Sequence, residues 1–101
     1  MTYDHELTLI NQTYNVDEVG NQIPIETEKV ILCGLKSVGR NEFYSAAATG
    51  LRPELVFVVH GYEYSGERAV VFDGVRYRVI RTYASDFEEM ELICERVATD
   101  G

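Results

Sequence analysis

The chain reads as mainly β, a small single-domain barrel or sandwich of about six to seven strands with one short helix in an insertion loop. Three observations carry this. Four strands follow one another almost without interruption from Glu54 to Val97 (ELVFVVHGYEYSGERAVVFDGVRYRVIRTYASDFEEMELICERV). Asp73-Gly74 sits between two β-branched runs, and both residues tolerate the positive φ of a two-residue hairpin corner. The seven tyrosines, with no tryptophan, suit a sheet surface on which the ring lies flat and the hydroxyl reaches water.

Taken in order, the first strand is His5 to Thr13, with Leu7 and Leu9 on one face and Thr8 and Ile10 on the other. Tyr14 to Pro24 breaks every period, and Asn15, Asp17, Gly20, Asn21 and Pro24 supply turn chemistry, so residues 14–25 are expected to form a loop or hairpin tip. Glu26 to Val38 is a long strand in which Val30, Leu32 and Val38 oppose Ile31, Cys33 and Leu35, and Gly34 marks a bulge or bend. The period changes in the second loop, residues 39–53. There Asn41 caps a helix of two or three turns that Gly50 stops.

Leu55 to Val59 is continuous and apolar, as in a strand covered on both faces. In the Asp73-Gly74 hairpin, Val75, Tyr77, Val79 and Tyr83 point one way, and Arg76, Arg78, Ile80 and Thr82 the other. The last strand, Glu88 to Val97, turns Met90, Leu92 and Cys94 inward and Glu89, Glu91, Ile93 and Glu95 outward. A hairpin through Ala84 to Phe87 then sets Arg76 and Arg78 against Glu91 and Glu95.

At 101 residues there is room for one core. A composition of 46% hydrophobic and 26% charged residues belongs to a folded chain rather than a disordered one. No apolar run is long enough to span a bilayer, and the start, MTYDHEL, lacks the basic and apolar regions of a signal peptide, so a cytosolic chain is expected. The net charge of −8 opposes attachment to nucleic-acid phosphates or anionic membrane, both of which require a cationic footprint.

Charge is also segregated. Residues 1 to 28 carry six acids and no Lys or Arg, and residues 82 to 101 carry six acids against Arg96. Between them, Lys29 to Arg81 holds eight bases against five acids. Two outcomes follow: a bipolar molecule that stacks head to tail, or strands that interleave the charges.

Catalytic constellations are poor. Cys33 and Cys94 lie within strands and read as buried reduced thiols. His5 and His60 are isolated, so neither a metal site nor a Cys-His nucleophile has ligands at workable spacing, and no cofactor, metal or catalytic residue is assigned. The glycines form no phosphate-cradling pattern. Glu88, Glu89 and Glu91 alternate as a solvated strand face. The best contact cluster is Arg40, Glu42, Phe43, Tyr44 and Arg52, because Arg and aromatics anchor interfaces.

The order of these elements resembles a known family. A strand ending V-x-S-V, then RNEFYSAAATG, a PELVFVVH strand, a V-x-F-D-G-V-x-Y-x-V-I-R hairpin and an acidic E-L-x-C-E-R strand are similar to the small head-tail joining proteins of tailed bacteriophages, also called head-tail adaptor or head-closure proteins. The likeness runs from about His5 to Val97 and is most specific at Glu42-Phe43-Tyr44, Gly50 and Asp73-Gly74 to Arg81.

The resemblance implies a non-enzymatic virion protein, monomeric when free, that assembles into a ring of about twelve copies beneath the portal and its adaptor. Such a ring closes the DNA channel, passes DNA without reading its sequence and presents the tail docking surface. It places oligomer or gating contacts on Arg40, Glu42, Phe43, Tyr44 and Arg52 in the 39–53 insertion, and contact with a neighbouring ring on Asp17, Glu18, Asn21 and Gln22. Localisation would be the host cytoplasm during assembly and the head-tail connector afterwards. Two alternatives stand beside it. One is an acidic DNA-mimic inhibitor of a host DNA enzyme, which needs aligned carboxylates on one face. The other is an oligonucleotide-binding barrel, which needs an exposed Arg76-Tyr77-Arg78 platform, whereas the alternation turns Tyr77 inward.

Overall fold

The computed structural model describes residues 3–40, 44, 47–50, 52–84, 86 and 88–97. Among the described residues six strands form: β1 (His5–Val16), β2 (Gln22–Lys36), β3 (Pro53–His60), β4 (Ala69–Phe72), β5 (Val75–Ala84) and β6 (Glu89–Arg96), with a 3-10 turn at Gly61–Glu63. Every pairing is antiparallel, and the order β1-β2-β3-β6-β5-β4 closes through a β1–β4 ladder. The molecule is therefore two three-strand meanders joined edge to edge into a barrel, which removes the edges an open sheet would expose.

The inward alternation expected from the sequence holds for most of the barrel. Leu7 and Leu9 of β1, Ile31 and Cys33 of β2, Phe57 and Val59 of β3, Val70 of β4, Tyr77 of β5, and Leu92 and Cys94 of β6 form one core. Phe57 lies at its centre, 5.2 Å from the Phe72 ring and 5.6 Å from the Tyr77 ring. Val56 and Val58, on the opposite face of β3, are buried as well, so this strand is covered on both sides. Phe72 and Val75 pair across the Asp73-Gly74 corner, whose φ values are 52° and 77°, as a two-residue hairpin with a primed turn requires.

The structure differs from the sequence reading in three places. The loop expected over residues 14–25 is a turn of residues 17–21. β1 continues to Val16 and β2 begins at Gln22, with Tyr14 opposite Pro24 and Val16 opposite Gln22. Pro24 is tolerated because this stretch of β2 pairs with β1 alone, and an edge strand can lack an N–H. β2 stops at Lys36 rather than Val38.

Gly34 is where β2 changes neighbours, leaving β1 after Cys33 and taking up Val58 of β3. Finally, the β5–β6 register slips between Val79 and Arg81. One extra residue reverses the alternation beyond it. Tyr83, expected to point inward, is therefore exposed and sits opposite Glu91.

In the second loop, Arg40, Tyr44 and Ala47 are helical, and the Ala48 N–H donates to the Tyr44 carbonyl at 3.1 Å, the spacing of an α-turn. Gly50 follows at φ 84°, the left-handed residue that ends such a segment.

Both cysteines are free and buried. Burial pushes the Cys94 thiol from 9.0 up to about 12, and burial together with Asp4 pushes Cys33 up to about 11. The folded state thus keeps protons that the unfolded chain releases above pH 9, so their contribution is complete below that pH and disappears as pH rises through 11 to 12. Urea midpoints measured between neutral pH and pH 11 should fall above pH 9, at up to about 1.4 kcal/mol per pH unit for each thiol. Tyr64, pushed up to about 12 chiefly by burial, steepens the loss above pH 10.

Candidate interaction surfaces

β1, β3 and β5 run one way and β2, β4 and β6 the other. The strand ends are staggered: the β1–β2 turn projects at one end, whereas His5, opposite Cys33, stands level with the end of β3, where Tyr3 stacks on His60.

The β1–β2 hairpin outgrows the barrel. The β1–β4 ladder ends at Ile10 opposite Ala69, yet β1 and β2 remain paired for six more residues, a two-stranded arm of roughly 20 Å. Asp17 builds its tip. One carboxylate oxygen accepts from the N–H groups of Val19 (3.0 Å) and Asn21 (2.7 Å), while the Asp17 N–H donates to the Asn21 carbonyl at 3.0 Å. Gly20 supplies the positive φ that closes the turn.

Around this polar scaffold the arm exposes apolar side chains. Tyr14, Val16 and Ile23 are exposed, and Val19, at the tip, is 79% exposed. The foot of the arm is tied down by the Arg76–Glu26 ion pair at 3.2 Å and by Lys29, whose Nζ donates to the Glu63 carbonyl at 3.3 Å. Replacing Asp17 by Ala removes two hydrogen bonds to a charged acceptor. It should loosen the tip by about 1–2 kcal/mol, seen as faster amide exchange at Val19 and Asn21 with global stability unchanged.

Away from the arm's tip a groove of about 750 Å³ is lined by Arg52, Glu54, Arg78, Glu95, Arg96 and Val97. Glu95 organises it, accepting the Arg78 guanidinium and, at 3.0 Å, the Arg52 backbone N–H. This confirms the expected Arg78–Glu95 pair and corrects the other. Arg76 reaches Glu26 of β2, and Glu91 pairs with Lys36 at 3.0 Å. Interleaving across β2, β5 and β6, rather than within one hairpin, accounts for the difference.

Of the contact residues singled out from the sequence, Arg52 lines the groove, whereas Arg40 and Tyr44 are exposed and are not among its lining residues. Glu42 and Phe43 lie outside the described residues. Asp17, Glu18 and Asn21 come together at the arm's turn, with Gln22 as the first residue of β2. Tyr77 is in the core, so Arg76-Tyr77-Arg78 offers no stacking platform.

Other features were not foreseen. Tyr3, His60 and Tyr62 stack with ring centroids 4.1 Å and 5.3 Å apart. The Tyr3 hydroxyl donates to Glu89, a bond that, with lesser help from burial and the neighbouring acids, pushes it up to about 12. Backbone N–H groups of Glu88 and Glu89 hold the Asp86 carboxyl below its usual range. Glu67 is buried, with one carboxylate oxygen accepting the Ser65 N–H at 2.7 Å. Sequence separation hides the stack, since Tyr3 lies far from the other two rings. The arm's apolar faces were legible in Tyr14-x-Val16 and Ile23-x-Ile25, but the turn formers between them dominate the reading.

Chemically, both thiols are held protonated at neutral pH and face the core. Among the described residues no group of three or more His, Cys, Asp or Glu is arranged to hold a metal, and no helix is long and apolar enough to cross a membrane. The surfaces suited to recognition are the acidic, apolar arm and the arginine groove. Compared with known proteins, the chain matches no family model and no curated sequence.

Proposed function

We propose that the chain is a non-enzymatic subunit of the head-tail connector of a tailed bacteriophage, forming a ring below the portal and its adaptor that closes the DNA channel and provides the tail docking surface. The observation that carries this is a closed barrel with a roughly 20 Å arm projecting from one end, exposing Tyr14, Val16, Val19 and Ile23. Exposed apolar groups on a projecting element mark a contact surface, and an isolated two-stranded ribbon gains its rigidity by packing on a neighbour. The net charge of −8 per subunit adds to this reading, because a ring of such subunits repels phosphate and lets DNA slide.

The interleaved pairs Lys36–Glu91, Arg76–Glu26 and Arg78–Glu95 weigh against a DNA mimic, whose carboxylates must stand in unbroken rows. The test is reconstitution. Purified chain added to a portal-adaptor complex should form a stable ring of about twelve copies visible by electron microscopy. A chain that stays monomeric there, together with normal particle yield after deletion of residues 41 to 49, overturns the reading. Recovery of a host nuclease or repair enzyme in place of structural proteins would install the mimic.

A further inference from the structure

The arm's tip and the arginine groove are separate surfaces of the barrel and are opposite in charge. Residues 11–28 hold Asp17, Glu18, Glu26 and Glu28 and no Lys or Arg. The groove sets Arg52, Arg78 and Arg96 against Glu54 and Glu95, a local excess of positive charge on a chain of net −8. Arg78 is answered by Glu95, but the exposed side chains of Arg52 and Arg96 form no ion pair with any described residue. At the arm's tip Glu18 and Val19 are exposed side by side on a turn that Asp17 has already ordered.

We propose that the arm tip of one copy docks in the arginine groove of the next, with Glu18 facing Arg52 and Arg96 and Val19 covering Val97. The fit is one of charge, size and order. A groove of about 750 Å³ admits a tight turn rather than a whole domain. The turn enters with its backbone already fixed, so little conformational entropy is lost on docking. A polyanion such as nucleic acid meets the same arginines but is repelled by the rest of the chain, whereas a single acidic tip is not.

Because donor and acceptor are different surfaces of the subunit, a single contact leaves each copy with one free arm or one free groove. Such contacts, repeated from copy to copy, propagate into closed rings or open filaments. This supplies the subunit contact for the ring proposed above and rests on that reading only for closure.

The experiment is amide NMR of the full chain between about 50 μM and about 2 mM, the span over which a weak contact fills. Glu18 and Val19 should shift together with Arg96 and Val97, and high salt should suppress the shifts. Glu18→Lys or Arg96→Glu should each raise the midpoint about fivefold or more. An equimolar mixture of the two variants should restore the contact, since the intact arm of one meets the intact groove of the other.

Shifts independent of concentration, or a mixture that does not restore them, overturn the proposal. So does a groove that responds to inorganic phosphate but not to protein concentration, which would make it a simple anion site. If reconstitution with portal and adaptor fails while this association stands, the connector reading falls and the contact survives. The converse result removes the contact alone.

Discussion

Phe57→Ala is expected to destabilise the fold by about 3–5 kcal/mol, the largest effect of any single substitution in the barrel. Phe57 has no solvent exposure, contacts the rings of both Phe72 and Tyr77, and lies on the strand that joins the two meanders. Truncation opens a cavity among core side chains held on closed ladders, which have little freedom to collapse into it. A domain of this size is stable by only about 5–15 kcal/mol, so the variant should unfold at much lower urea, with an unchanged dependence on denaturant. Phe57→Leu, which refills most of the space, should recover more than half of the loss. Equal midpoints for the Ala variant and the parent chain would show that Phe57 does not centre the core.

Shortening the arm should produce the opposite pattern, normal stability with lost assembly. Removing residues 13–25 and joining Gln12 to Glu26 through Asn-Gly keeps the Arg76–Glu26 tie and every ladder of the closed barrel. The urea midpoint should therefore change little. Incorporation into rings should fall at least about a hundredfold, because the exposed aromatic and apolar side chains that anchor the contact leave together. Quantitative cross-linking in the reconstituted complex measures this directly. An armless chain that still enters rings at the parent level would move the contact elsewhere on the barrel.

Much of the barrel was legible in the sequence because long stretches of its strands obey a period of two. The Asp73-Gly74 corner, the fully covered β3 and the Met90, Leu92, Cys94 inner row of β6 all follow from alternation and turn chemistry. The arm was not, because Asn15, Gly20, Asn21 and Pro24 are turn formers and breakers by local preference, and only pairing across twelve opposed positions overrides them. Tyr83 was misplaced for a different reason. Nothing in Val79-Ile80-Arg81 announces an extra residue, and one slip reverses every side chain beyond it. The arginine groove combines residues from β3, β5 and β6, a convergence that depends on closure and on no local signal.

Between Asn11 and Cys33 the arm's two strands pair only with each other, leaving backbone amides and carbonyls along both outer edges. Such ribbons are templates for indiscriminate cross-β stacking in a crowded cell. Here Pro24 removes a donor from one edge, and Asp17, Glu18 and Glu28, with no Lys or Arg between residues 11 and 28, make two parallel arms repel one another. These residues act as gatekeepers. They leave the arm sticky toward a basic groove and inert toward its own kind, so that the subunit can accumulate at high concentration without forming aggregates of stacked arms.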